Sequence, residues 1–322
     1  MLIPLVMDIK EACSWNLYAI VLIGSLARGE ATIKKGQILS DLDMHIVTKT
    51  FSTSVDRKIS SLVKKHCEYL PFKIYFGTVP RFLYGIYKCI EYYEARKNGY
   101  VIYGPRNVTD EISIKDPAQI PVWEGVRLLL NRALGLLESF HNRRNGDYAI
   151  AKSYLGIAEA YLVFDKRYRA TYRERHDEIL NRCRLKCVDN FLEKYLSAYR
   201  YKMNFQEDIG NLTLHRTVAD LLKAVNYFLG LFLDCSGSLQ QKLEALSSRF
   251  LNPYHSLLLF WNKIEKGKFD PRFLFIEPCI YIWKRGMNHL IDIERGKQDS
   301  KDVRLNELLQ EWKNTPQFLL LK

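Results

Sequence analysis

Ser40-Asp41-Leu42-Asp43-Met44-His45-Ile46-Val47 alternates polar and apolar residues with period 2, the pattern of a half-buried strand. In that register Leu42, Met44 and Ile46 share one face, while Asp41, Asp43 and His45 share the other. Two carboxylates side by side repel each other, and a purely structural strand gains nothing from the pairing. A divalent cation turns the repulsion into binding, because hard cations take carboxylate oxygens. Upstream, an apolar run from Ala19 to Ile23 breaks at Gly24-Ser25. That turn offers backbone N–H groups and a hydroxyl, the donors that phosphate oxygens accept. A phosphate holder and a metal holder in one strand–turn–strand unit point to a nucleoside triphosphate with Mg²⁺ or Mn²⁺.

At these residues the sequence resembles the DNA polymerase β-like nucleotidyltransferase superfamily, in its minimal and antibiotic-modifying form. The signature is Gly-Ser, a short helix with a frequent Arg-Gly, then Asp-x-Asp. Here Gly24, Ser25, Arg28, Gly29, Asp41 and Asp43 match it. The likeness covers roughly the first third of the chain. The gap from Ser25 to Asp41 is longer than usual, and Lys34-Lys35-Gly36 predicts an inserted hairpin. The resemblance implies that Asp41 and Asp43 are catalytic and hold the metal. It implies that Gly24 and Ser25 take the terminal phosphates, that Arg28 neutralises the leaving group, and that ATP is the donor.

The elements that position these residues follow from periodicity. Helices are expected over 8–16, 55–69 and 82–97, and strands over 18–23, 41–47, 72–78 and 100–103. Pro80 is read as the first residue of the helix over 82–97, and Asn98-Gly99 as its end. On the third strand Phe72, Ile74 and Phe76 form one face, leaving Lys73, Tyr75 and Gly77 on the side of the aspartates. The family commonly carries a third carboxylate there, and no acid lies between Tyr69 and Glu91. The base then comes from the next domain or a partner subunit, as in a homodimer; or the acceptor needs no strong base; or the protein binds nucleotide without turnover.

A first domain is read over 1–112, with a linker over 115–121 that holds two prolines. Residues 113–322 are read as an all-α domain closing the cleft. Its helices are expected over 123–141, 148–164, 172–196, 212–233, 239–250, 254–266, 276–293 and 303–312. The fold class is therefore α+β: a small polymerase β-like sheet with flanking helices, then a helical bundle. Related enzymes draw a phosphate-binding lysine from the helical domain. Lys152 fits that role, since it lies on an otherwise apolar helix where a charge tends to have a partner. Glu138, Asp147 and Glu159 are the acids near it.

The chain of 322 residues is 48% hydrophobic and 26% charged, ordinary values for a protein with a sizeable core. No apolar run is long enough to span a bilayer, and the first ten residues lack the features of a secretory leader. Seven scattered cysteines without a CxxC pair are expected to be thiols in a reducing cytoplasm rather than disulfides or zinc ligands. The net charge of +12 permits a polyanionic partner. The densest basic stretch, Lys166 to Lys186, interleaves Tyr168 and Tyr172 with arginines; it reads either as an RNA surface or as a solvated helix face. The expected function is metal-dependent transfer of a nucleoside monophosphate from a triphosphate to a hydroxyl on a small molecule, a protein side chain or an RNA end. The alternative is a degenerate nucleotide- or RNA-binding module that lacks the third carboxylate.

Overall fold

The apolar run at residues 17–23 forms the inner strand β1 (Leu17–Ile23), and the alternating Asp-x-Asp segment forms its antiparallel neighbour β4 (Leu42–Thr48). The computed structural model describes residues 2–70, 72–142, 146–249, 278–296 and 303–314. The expected helix over 254–266, together with Pro71 and Asn145, lies outside them. β5 (Ile74–Pro80) pairs parallel with β4, and β6 (Tyr100–Tyr103) pairs antiparallel with β1, in the order β5-β4-β1-β6. The fold class is α+β: a small mixed sheet followed by a mostly helical region.

The period-2 pattern of β4 sorts the two sheet faces. Leu42, Met44 and Ile46 pack with Ile20 against α1 (Leu2–Cys13) and α3 (Thr53–Cys67), which bury Leu5, Ile9, Ile59 and Val63 there. α3 begins where the Ser52 hydroxyl accepts the Val55 N–H, a serine N-cap. The opposite face, with Ala19, Val21 and Val47, packs toward α4 (Ile90–Asn98) and the later helices. Between β1 and β4 lie α2 (Gly24–Ala27) and the expected hairpin, β2 (Ile33–Lys34) and β3 (Gln37–Ile38), with Lys35 and Gly36 both at positive φ in its turn.

Two expected helices are shorter than their periodicity suggests. The helix over 82–97 begins only at Ile90, because β5 runs through Pro80 and a 3₁₀ turn follows. Gly85 has φ of +73° and sits so close to Ile112 that a Cβ would meet its backbone at 2.5 Å, so the chain must turn there. The Glu124 carboxylate then accepts the Ile90 N–H at 3.1 Å. The helix over 172–196 is two helices, α7 (Tyr172–Arg182) and α8 (Phe191–Lys202), separated by an extended Cys183 and a left-handed Asn190. In the segment expected as a linker Ile120 is fully buried, while Lys115, Asp116, Ala118, Gln119 and Pro121 are exposed.

The remaining helices are α5 (Trp123–Asn142), α6 (Gly146–Phe164), α9 (Leu214–Leu233), α10 (Leu239–Arg249), α11 (Pro278–Glu294) and α12 (Val303–Asn314). α5 and α6 bury apolar residues along most of their length. Among the described residues no helix is long and apolar enough to cross a membrane, and Cys13, Cys67, Cys89, Cys183, Cys187 and Cys235 are free thiols.

Candidate active site

One cleft lies between the polar face of β4 and the helices α5, α6 and α8. Gly24, Ser25, Arg28, Asp41, Asp43 and Lys152, the six residues singled out from the sequence, all line it. Asp43 pairs with Ile23 across the β1–β4 ladder and with Tyr75 across the β4–β5 ladder. Gly24 has φ of +72°, and a Cβ there would meet Asp43 Oδ2 at 2.6 Å. Only glycine lets the turn come this near the carboxylate. The polar turn and the second aspartate are thus in direct contact.

The Lys152 ammonium reaches in from α6. It donates to Asp41 Oδ2 at 3.3 Å and lies 4.5 Å above the Tyr148 ring. Burial alone would lower its pKa, but Tyr148 and Asp41 hold it above the ordinary lysine value. Its side chain is half-buried, and its ion-pair partner is the first aspartate.

Arg28 is built into a buried ion network. Its Nη1 donates to Glu94 Oε2 at 2.6 Å and its Nε to Glu30 Oε2 at 3.1 Å. Glu94 in turn accepts from Arg175 and from the Tyr168 hydroxyl, both at 2.6 Å. Glu30 accepts the backbone N–H groups of Tyr172 and Arg173 at the start of α7. Arg28 therefore sits at the cleft while fastening β1's turn to α4 and α7.

Lys202 is a cleft residue that no motif announced. It is fully enclosed and donates to the Ser40 hydroxyl at 3.1 Å. Burial first, then the nearby Lys152 and Arg28, drive its pKa well below the lysine value. One sequence signal was available: Lys202 falls on the stripe Tyr195, Ala198, Tyr199, the i, i+3, i+4, i+7 spacing of a buried helix face. A lysine on such a stripe is aimed inward.

His45 is buried on the same strand face. Its Nε2 lies 2.5 Å from Glu91 Oε1 and its Nδ1 3.3 Å from the Tyr84 hydroxyl. Tyr75 occupies the β5 face opposite the aspartates, and burial, then Asp41, pushes its phenol pKa up.

The cleft continues into a second cavity of about 830 Å³, which shares Asp41, Tyr75, Arg132, Tyr148 and Lys152 with the first. Of the three acids near Lys152, Glu138 lines this cavity. Glu159 is committed to Arg175 at 3.3 Å and Arg132 at 3.8 Å. Asp147 lines neither cavity.

Of the eight cations in the basic stretch, Lys166, Arg169, Arg173, Arg182, Arg184 and Lys186 are exposed, Arg167 is half-buried and Arg175 is buried. Arg175 pairs with Glu94 and Glu159, Arg167 and Arg169 pair with Glu178, and Lys166 donates to the Ile120 carbonyl. Tyr168 and Tyr172 are buried, so these rings are not available to stack on bases.

Asp41 and Asp43 suit magnesium, which is held by one or two carboxylates and completes its shell with substrate phosphates and water. Among the described residues no group of three or more His, Cys, Asp or Glu side chains could hold a metal ion.

No family model matches the chain, and no curated protein matches it in sequence. A solved structure with partial similarity is the spectinomycin adenyltransferase AAD(9) from Enterococcus faecialis, determined with ATP and spectinomycin. It is 16% identical, the match covers 70% of this chain and 96% of that one, and the TM-score is 0.44.

Proposed function

We propose that this chain is a metal-dependent nucleotidyltransferase, with residues 1–112 holding the nucleotide and residues 113–322 closing the cleft and contributing to both substrates. The observation that carries this reading is the convergence of two aspartates, a Gly-Ser turn and two lysines in one cleft. Asp41 and Asp43 would hold Mg²⁺ or Mn²⁺, which supplies charge neutralisation of the triphosphate and orientation of its α-phosphorus. Gly24 N–H and the Ser25 hydroxyl bind terminal phosphate oxygens. Lys152 and Lys202 balance charge on the departing pyrophosphate, and Arg28 holds the turn through Glu30 and Glu94.

In the transfer, the acceptor oxygen bonds to the α-phosphorus as the bond to the α,β-bridging oxygen breaks. Pyrophosphate leaves with that electron pair. The hydroxyl proton passes to Glu138, the acid on the wall of the adjoining cavity, and from there to solvent. Catalysis of this kind rests mainly on position and preorganised charge.

Titration calorimetry with Mg-ATP tests the reading. Asp41→Asn and Asp43→Asn are each expected to weaken binding at least about tenfold, since either loses a charged ligand, with circular dichroism unchanged. Undiminished affinity in both variants would sink it. A second reading, nucleotide binding without transfer, is favoured by the third strand, where Lys73, Tyr75 and Gly77 replace an acid. Pyrophosphate release over a broad acceptor panel separates the two, and Glu138→Gln should abolish release while leaving Mg-ATP affinity intact.

A further inference from the structure

The adjoining cavity has a sign. Among the described residues its wall carries three cations, Lys73, Arg132 and Lys152, against two carboxylates, Asp41 and Glu138. Asp41 is committed to Lys152 and, in the transfer proposed above, to the metal. That leaves Glu138 facing Lys73 and Arg132. Lys73 is exposed, just before β5, at a position where the family resemblance leads to the expectation of an acid. Arg132 is more telling. Its aliphatic stem lies flat on Gly156, where a Cβ would meet Cγ at 2.7 Å. Its single ion pair among the described residues is a 3.8 Å approach to Glu159, and its enclosed Nε meets no acceptor. A guanidinium held in place by packing but short of acceptors is prepared for an oxyanion.

We infer that the acceptor taken by this cavity is a small anionic hydroxyl compound, a carboxylated or phosphorylated polyol, rather than a polycation. The class of acceptor follows only if the cleft transfers a nucleotidyl group as proposed above. A volume of about 830 Å³ fits a small molecule. A ligand with several ammonium groups would set like charges against Lys73 and Arg132 with one carboxylate to offset them, an arrangement that binding sites use to reject partners. An anion gains both cations and leaves Glu138 to take the hydroxyl proton.

Trp312 lines the same cavity and reports its charge without any turnover. Its fluorescence, taken as the difference between wild type and W312F, is quenched with iodide and with caesium at equal ionic strength. Iodide is expected to quench about threefold more strongly, because a positive site concentrates anions, and K73E should reverse the order. In a second arm, pyrophosphate release from Mg-ATP is compared for gluconate, glucose 6-phosphate, uncharged sorbitol, an aminocyclitol and an RNA 3′ end. One of the two anions is expected to exceed sorbitol about tenfold in kcat/KM, as for one well-placed charge-assisted contact, with K73E removing the advantage. Which anion wins distinguishes carboxylate from phosphate. Caesium quenching equal to or stronger than iodide, or the aminocyclitol or RNA exceeding both anions, overturns the inference. Loss of the nucleotidyltransfer reading itself would appear separately, as Mg-ATP binding unaffected by D41N and D43N, while the quenching order still judges the charge of the cavity.

Discussion

A fully enclosed ammonium gives up its hydration, and among the described residues Lys202 recovers the Ser40 hydroxyl as its hydrogen-bond partner. Its pKa is depressed by burial and then by Lys152 and Arg28. Between that depressed value and the ordinary lysine value of about 10.4, the unfolded chain holds more protons than the folded one. Stability arising from this group therefore rises with pH across that window. Replacing Lys202 by Met removes the penalty and the slope. The variant is expected to unfold about 1 kcal/mol or more later in free energy near neutral pH, yet to bind Mg-ATP at least about tenfold more weakly, one lost charge contact. Urea unfolding at two pH values with calorimetry of Mg-ATP checks both halves. A less stable variant with intact affinity would show that Lys202 is only structural.

At the scale of elements, the inserted hairpin β2–β3 is what brings Lys202 to the aspartates. Asn204, just past α8 and at φ of +65°, accepts the Ile33 N–H at 2.7 Å and donates to the Ala31 carbonyl at 2.9 Å. Thr32 donates through its hydroxyl to the Lys202 carbonyl and through its N–H to the same Ser40 hydroxyl that receives the Lys202 ammonium. Buried Lys34 reaches the Gln206 carbonyl. The hairpin thus clamps the end of α8 to the sheet. Asn204→Ala loses two hydrogen bonds worth about 1 kcal/mol each and adds left-handed strain of about 1 kcal/mol. The expected loss is about 2–3 kcal/mol in urea unfolding, with weaker nucleotide binding although no cleft residue changes. Asn204→Gly, free of the strain, should lose less. Equal losses in the two variants would mean that backbone conformation contributes nothing here.

Across the whole molecule, the network through Glu94 ties β1's turn, α4 and α7 together. Burial would raise the Glu94 pKa, but Arg28 and Arg175, helped by the Tyr168 hydroxyl, outweigh it and hold the carboxyl below the ordinary glutamate range. A depressed carboxylate contributes stability that is complete above the unfolded value of about 4.3 and is lost as pH falls through the folded value. Glu94→Gln should flatten the acid limb of a Tm-against-pH curve. At neutral pH it should cost about 3 kcal/mol, because Arg28 and Arg175 each lose a buried carboxylate partner and keep only Glu30 and Glu159 respectively. A variant whose acid limb matches the wild type would assign acid unfolding to other carboxylates.

The sequence by itself determined what a few neighbouring residues decide. Side chains alternate along any strand, so Asp41, Asp43 and His45 had to share a face with Leu42, Met44 and Ile46 behind them. Lys35-Gly36 had to turn, and the 3.6-residue repeats of α5 and α6 had to be helices. Only the tertiary structure decided the company each charge keeps. Helix α4 starts late because Glu124, 34 residues away in the chain, caps Ile90. Within the basic stretch Arg175 turns inward to Glu94 and Glu159, and Arg167 and Arg169 meet Glu178, while Arg173, Arg182, Arg184 and Lys186 stay exposed. Glu138 rather than Asp147 or Glu159 reached the second cavity, and Lys202 joined the aspartates through a hairpin clamp. Periodicity is a property of local backbone geometry, whereas the field at a charged group sums over residues that are distant in sequence and near in space.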